Sequence, residues 1–217
     1  MVNLRINSLD EYLAEQFPLL KLKQPLFYNF PVGIRFDLGG NLGISEGRME
    51  QCYKRSCTLF NEINKSSDEL FVAVYVDSWD KYPIGESEPQ VFNIFKNYFY
   101  GKDFSCKVIK DKFEYRYKEP EDLDDTKTYR FFVKCRVEEV NFKKMIIARL
   151  NQSVGIAPFI LGDLHFVNQS RNIIFHIYDD RGLDIISNSK KELIEIYKNY
   201  KEWILEYDKG KIDEVFV

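Results

Sequence analysis

Only two histidines and four cysteines occur among 217 residues, and neither type stands at a spacing that builds a metal or redox motif. Cys52, Cys57, Cys106 and Cys135 contain no CxxC pair. Cys52 and Cys57 fall on a predicted helix, where five residues at about 100° each set them about 140° apart, too far round to hold one ion together. Cys106 and Cys135 fall on the apolar phase of predicted strands, so buried, reduced thiols are expected. HExxH and comparable compact ligand motifs are missing as well. The sequence therefore predicts no metal and no cofactor.

Long hydrophobic runs are also missing. FVAVYV (71–76) has the length of a strand, far short of the roughly 20 residues of a membrane helix, and no membrane association is expected. MVNLRINSLDEY carries no apolar h-region, which predicts no signal peptide and cytoplasmic residence. Glycine and proline are sparse, at 11 and 7 residues, so long disordered stretches are not expected. Neither sign of charge dominates: 31 basic against 34 acidic residues leave a net −3. That balance gives no overall attraction to phosphate backbones, and general nucleic-acid binding is disfavoured.

What remains is ordinary globular composition, 45% hydrophobic and 16% aromatic. The length buries a substantial core, as one domain spanning 1–217 or with a subdivision near 103. A capping-box pattern, Ser8-Leu9-Asp10-Glu11, starts a first helix that ends before Pro18. After an aromatic connector, PLFYNFP (25–31), the stretch VGIRFDL alternates as a strand with Ile34, Phe36 and Leu38 on one side and Arg35 and Asp37 on the other. A helix over about 46–64 carries the stripe Met49, Cys52, Tyr53, Cys57, Phe60 and Ile63. LFVAVYV is apolar on both faces and reads as a central strand covered twice.

Residues 89–100 show helical spacing of Phe92, Phe95 and Phe99. Two short strands, 104–109 and 113–117, are expected to flank a Lys-Asp-Lys turn, and EPEDLDD (119–125) reads as a solvated acidic loop without EF-hand spacing. YRFFVKCRV places Tyr129, Phe131, Val133, Cys135 and Val137 inward and Arg130, Lys134 and Arg136 outward. A helix over 141–152 follows. Ser189 caps a long last helix, on which Leu193, Ile196, Tyr197, Tyr200, Trp203, Ile204 and Tyr207 share a stripe. The order of elements predicts an α+β fold: a mixed, largely antiparallel sheet with helices packed mainly on one face.

FHIYDDRGLDII (175–186) gathers Asp179, Asp180, Arg181 and Gly182 beside a histidine, and the pattern fits a hairpin tip. Asp first and Gly fourth suit a type I turn closed by a glycine at φ > 0. Around it, Leu164, Phe166, Ile173, Phe175, Ile177, Leu183 and Ile185 share an apolar face. Asp163, His165, Val167, Ile174, His176, Tyr178, Asp184 and Ile186 lie opposite. A tight turn at Ser170-Arg171 sets His165 across from His176 and Asp163 across from Tyr178, and a slip of one residue destroys both pairs. LGGNLGIS (38–45) lies between strand and helix but lacks GxGxxG and the P-loop lysine, so an ordinary turn is expected there.

Three segments, PLFYNFPVGIRFDLG (25–39), FHIYDDRGLDII (175–186) and WILEYDKGKID (203–213), together resemble a bacterial family, the domain of unknown function 3885. They bracket most of the chain. The resemblance implies no activity and no catalytic residue, and neither the GGNLG insertion nor His165 belongs to its pattern. The residues themselves predict a binding or interaction protein with a protein partner, in the manner of an immunity or accessory factor. Its candidate binding residues are Arg35, Arg130, Lys134, Arg136, His176, Asp180, Arg181 and Asp184, on a polar sheet face open to solvent. The alternative is an enzyme with His176 as acid/base and Arg35 or Arg181 binding an anion; a compact pocket joining these residues favours it, and a broad exposed face favours binding.

Overall fold

A computed structural model describes residues 8–78, 97–100, 109–119, 121 and 125–217. Among these, the helices are α1 (Leu9–Gln16), α2 (Arg48–Ile63), α3 (Phe142–Val154), α4 (Lys190–Asn199) and α5 (Lys209–Phe216). The strands are β1 (Gly33–Asp37), β2 (Glu69–Ser78), β3 (Ile109–Glu114), β4 (Lys127–Arg136), β5 (Asp163–Asn168), β6 (Ile173–Asp179) and β7 (Gly182–Ser187). They form one seven-stranded sheet in the order β1-β7-β6-β5-β2-β4-β3. Every described ladder is antiparallel.

Alternation sorts the strand side chains into two layers. On β2, Leu70, Val72, Val74 and Val76 enter the larger core, while Phe71, Ala73 and Tyr75 enter a smaller one on the opposite face. This strand is central and covered twice, as its apolar run predicts. The larger core lies under α2, α3, α4 and α5 and centres on Phe60. That ring stacks on Phe142 at 4.3 Å and meets Phe166 and Phe175 edge-on at 5.0 and 5.5 Å. Full burial of one such ring is worth about 1.5–3 kcal/mol. The smaller core lies under α1 and the segment after it: Leu9, Tyr12, Leu13, Phe17, Leu22 and Leu26 pack on Phe71, Phe132, Val167, Ile174 and Ile186.

Several expectations are corrected. Ser8 precedes α1, but its side chain makes no capping bond; only its carbonyl accepts, from the Tyr12 amide at 3.2 Å. Lys110-Asp111-Lys112 is the middle of β3 rather than a turn, paired with Phe131, Arg130 and Tyr129; the Asp111 carboxylate gains the Arg130 guanidinium at 2.6 Å by staying in register. The last helix is not continuous. It stops at Asn199 and passes through 3-10 turns at Lys201–Trp203 and Glu206–Asp208 before α5. The break lets Ile204 bridge Phe36, and Leu205 N–H reach the Arg35 carbonyl at 2.9 Å, so the chain sheathes the free edge of β1. Tyr207, expected in the helical stripe, is left 87% exposed.

Cys52, Cys57 and Cys135 are buried free thiols, and burial pushes the Cys52 thiol up to about 11. Cys106, Phe92, Phe95 and most of the expected strand 104–109 lie outside the described residues, as does most of the acidic run 119–125.

Candidate functional site

The β5–β6 register sets His165 opposite His176. The connection is a four-residue loop rather than a two-residue turn, since pairing ends at Asn168 and Ile173, and Asn172 takes φ +53° to close it. Extended across the sheet, the ladders align Arg35, Asp184, His176, His165 and Ala73 in one row. Asp163, Tyr75, Arg130 and Asp111 form a neighbouring row. Asp163 and Tyr178 do not complete a pair: β6 is irregular between Ile177 and Asp179. Arg149 of α3 donates to the Tyr178 carbonyl there and lies 3.7 Å from the Asp163 carboxylate.

This face carries the predicted polar residues beside the apolar ones of the smaller core, and it is not open to solvent. His165, His176 and Asp184 have no exposed area, and Arg130 keeps 4%. Alternation reports the phase of a side chain and not what lies over it. What lies over these is a strap, residues 20–29, whose last part is a 3-10 turn, Leu26–Asn29. Its attachments end on side chains of the sheet face and of the connection after β3. Gln24 Nε2 donates to Asp163 at 2.6 Å, the Gln24 amide to the Tyr117 hydroxyl at 2.9 Å, and the Phe27 amide to Asp184 Oδ2 at 2.9 Å. Arg116 donates to the Leu22 carbonyl at 3.0 Å while its guanidinium bridges Asp77 (2.9 Å) and Asp163 (2.5 Å).

Between these anchors the two imidazoles stack, with centroids 4.1 Å apart and planes 3° from parallel. None of their four ring nitrogens makes a hydrogen bond among the described residues. Both histidines are held well below the ordinary value. Burial is the main cause; on His165 the other histidine lowers it further, Asp163 opposes, and Arg116 adds a smaller lowering, while Arg149 and Arg116 act on His176. Both rings are therefore neutral at pH 7.

Asp184 is shifted the other way. Burial raises it to about 6 in spite of the Phe27 amide and Arg35. Arg35 Nε lies 3.3 Å from Asp184 Oδ1, but its hydrogen is directed to the Tyr178 hydroxyl, also at 3.3 Å, so Oδ1 has charge compensation without a hydrogen bond. The same guanidinium sits between the rings of Tyr28 and Tyr178, 5.2 and 4.9 Å from their centroids. It also pairs with Asp208 at 3.4 Å, which accepts from the Tyr28 hydroxyl at 2.6 Å.

The hairpin tip is a binding element within the molecule. Arg48 Nε meets Asp180 at 2.6 Å and its Nη1 donates to the Gly40 and Leu42 carbonyls, so the glycine-rich loop is tied to the hairpin. Arg181 pairs with Asp179 and remains 76% exposed. Gly182 does not have the positive φ expected of it. A Cβ there would collide with the Tyr178 hydroxyl and stand 2.6 Å from the Phe36 carbonyl, so close approach of β1, β6 and β7 requires the glycine.

Beside this tip lies a pocket of about 410 Å³ lined by Gln24, Pro25, Arg35, Tyr178, Arg181 and Leu205. It joins Arg35 to Arg181, with Asp184 and His176 sealed beneath. The cations of β4 are elsewhere. Arg130 is held by Asp10 and Asp111, Lys134 pairs with Glu69 at 3.1 Å, and the exposed Arg136 pairs with Glu138 at 3.4 Å. Sequence reasoning missed Gln24, Tyr28, Arg116, Arg149 and Asp208. Of these, only Arg149, a cation set in the apolar run of Ile146, Ile147, Ala148 and Leu150, carried a signal. Among the described residues no group of three or more His, Cys, Asp or Glu is placed to hold a metal ion, and no helix is long and apolar enough to cross a membrane.

A family model described as Domain of unknown function (DUF3885) matches residues 9–208. The Uncharacterized protein YnaE of Bacillus subtilis (strain 168) is 24% identical over 213 residues, which span 92% of this chain and 98% of that protein. No solved structure matches the chain.

Proposed function

The chain belongs to the domain of unknown function 3885 family, and we propose that it is a binding protein that receives an acidic side chain of a protein partner in the pocket between strap and hairpin tip. The observation that carries this is the pocket's rim: Arg181 is 76% exposed above walls made by Pro25, Leu205 and Tyr178. Its present partner, Asp179, is two residues away and partly exposed, and such surface pairs are worth only about 0–1 kcal/mol. A partner carboxylate therefore displaces it at little cost and gains a planar, two-toothed donor beside apolar surface. The volume, about 410 Å³, is near the small end of ligand sites and suits one side chain.

Arg35 supports the pocket rather than supplying free charge, since Asp184, Asp208 and two tyrosine rings already hold it. An acid/base role for His176 has no support in this geometry: the ring is fully buried and does not line the pocket. An immunity or accessory role is a special case of the proposed binding, with a toxin or another cellular protein as the partner.

The test is a peptide array in which each Asp- or Glu-bearing peptide has an Asn or Gln counterpart. Acidic members are expected to retain the wild-type protein and the Arg136→Glu variant, and to lose Arg181→Glu. Equal retention of Arg181→Glu, or no preference for the acidic members, overturns the proposal.

A further inference from the structure

We propose that the strap over His165 and His176 is a proton-operated latch: entry of a proton onto this buried pair lifts residues 20–29 from the sheet and dismantles the pocket that Gln24 and Pro25 help to wall. The effect on partner binding rests on the function proposed above; the latch itself does not.

While the strap is down a charged imidazole has little compensation: Asp163 favours it at His165, but burial and the neighbouring ring outweigh that. Each ring has its neighbour's face at 4.1 Å and no hydrogen-bond acceptor on either nitrogen among the described residues. The groups that face the pair are mostly cationic or already committed. β5 supplies Asp163, which is held by Arg116 and Gln24. β7 supplies Asp184, held by the Phe27 amide and Arg35. β6 supplies Tyr178 and β2 supplies Tyr75, whose ring stands edge-on to His165 at 5.4 Å. α3 brings Arg149, and the connection after β3 brings Arg116 and Tyr117. The strap itself has no carboxylate; its titratable residues are Lys21, Lys23 and Tyr28. A proton on His165 thus meets the second imidazole and Arg116 against Asp163, a proton on His176 meets Arg149 and Arg116, and either gains solvent only when the cover leaves.

The strap is the element that gives way. It is not a strand of the sheet; it holds on through hydrogen bonds with Asp163, Tyr117, Asp184, Arg116 and Asp208 and through the buried side chains of Leu22, Leu26 and Phe27. The larger core, with α2 to α5, lies on the opposite face. Opening a short segment with few attachments costs less than unfolding the whole.

Direction and size follow from proton linkage. Each histidine, exposed, takes a proton near its ordinary value of about 6.5, so each favours the open strap about tenfold per pH unit below that point. Asp184 opposes this, because in the closed state it holds a proton from about 6 downward. Between pH 7.5 and 5.5 the two histidines outweigh the carboxylate, and the opening constant rises about thirty-fold.

Hydrogen exchange of the full chain, corrected for the intrinsic effect of pH, tests this at pH 7.5, 6.5 and 5.5. Amides of residues 20–29 are expected to lose protection by about thirty-fold while those of α2 and β2 keep theirs. The His165→Phe/His176→Phe double variant, which keeps two stacked rings without protons, is expected to retain strap protection throughout. Unchanged strap protection in the wild type, or an equal loss in the double variant, overturns the latch. If the double variant does not fold, the wild-type imidazole resonances decide. Titration in step with strap opening supports the latch, and titration near 6.5 with the strap still protected overturns it. Acidic-peptide binding at the same pH values separates the two proposals: a strap that opens without loss of binding refutes the pocket and leaves the latch standing.

Discussion

Gly182→Ala isolates one physical cause. Gly182 pairs with Asp37 on one side and Asp179 on the other, and its φ lies outside the left-handed region, so a side chain meets no backbone penalty. It meets atoms: the Tyr178 hydroxyl, and the Phe36 carbonyl at 2.6 Å. The hydroxyl can swing aside, but only by leaving Arg35 Nε, which donates to it at 3.3 Å; the carbonyl moves only if β1 does. Overfilling a packed site costs about 1–3 kcal/mol. The lost bond to a charged donor adds about 1–1.5 kcal/mol in this partly exposed setting. Replacing glycine returns about 0.7 kcal/mol through the unfolded chain. The net loss is about 2.5 kcal/mol, or a melting temperature about 7 °C lower for a chain of this size. Urea unfolding of Gly182→Ala and Gly182→Asn measures it. A glycine kept for positive φ tolerates Asn better than Ala; a glycine kept for close approach tolerates Asn less, because it is larger. A loss below about 1 kcal/mol for Ala, or an Asn variant more stable than Ala, refutes the reasoning.

Asp180→Ala leaves Arg48 without its 2.6 Å partner at a site about four-fifths buried on both sides, and is expected to cost about 1–3 kcal/mol; Arg48→Met in the same background should cost less in a thermal melt than it does in the wild type, the remainder reflecting its bonds to the Gly40, Leu42 and Asp180 carbonyls. Asp184→Asn keeps an acceptor for the Phe27 amide but removes the group that takes up a proton near pH 6 in the folded state. A raised folded value means that this carboxylate favours the fold as pH falls from about 6 to 4, so the variant should lose stability with acid more steeply than the wild type, by about 1.4 kcal/mol per pH unit in urea titrations; parallel slopes would count against the shift.

The strands β1, β4, β5, β6 and β7 and their phases were legible because each alternates with a hard apolar face, and β2 by its unbroken apolar run; β3, charged along its middle and exposed, was not. Leu164, Phe166, Phe175, Ile177, Leu183 and Ile185 all enter the larger core, and His165 meets His176 because that face leaves only one register. Two kinds of feature were not legible. Long-range attachments leave no local pattern: Gln24 reaches Asp163 and Tyr28 reaches Asp208 across 139 and 180 residues. The strap carries neither helical nor strand period, and it is this cover that turns the polar phase from surface into interior. The break after Asn199 escaped for a related reason. Tyr200 and Trp203 keep helical spacing, but the edge of β1 captures Ile204 and Leu205, and tertiary pairing overrides local periodicity.

The buried histidines break a rule that the same strands obey two residues away. Val167 faces Ile174 in the next pair on the same face, and both are fully buried in the smaller core. The sheet and its cover thus accept an apolar pair at this depth, and nothing in strand geometry calls for imidazoles at 165 and 176. Each unpartnered polar group in such a place costs about 1–3 kcal/mol, and a phenylalanine pair would avoid that cost while keeping the stacked rings. A penalty of this size is large against the few bonds that fasten residues 20–29. In the proposed latch it falls chiefly on the strap: the larger core loses only Phe27 when the strap lifts, whereas the strap has to overcome the penalty to close. Local violations of packing rules concentrate where a structure has to change state. Here the violation lies under the segment that, among the described residues, both covers the polar row and helps wall the pocket, and in the proposed latch the same two rings therefore act on strap stability and on binding.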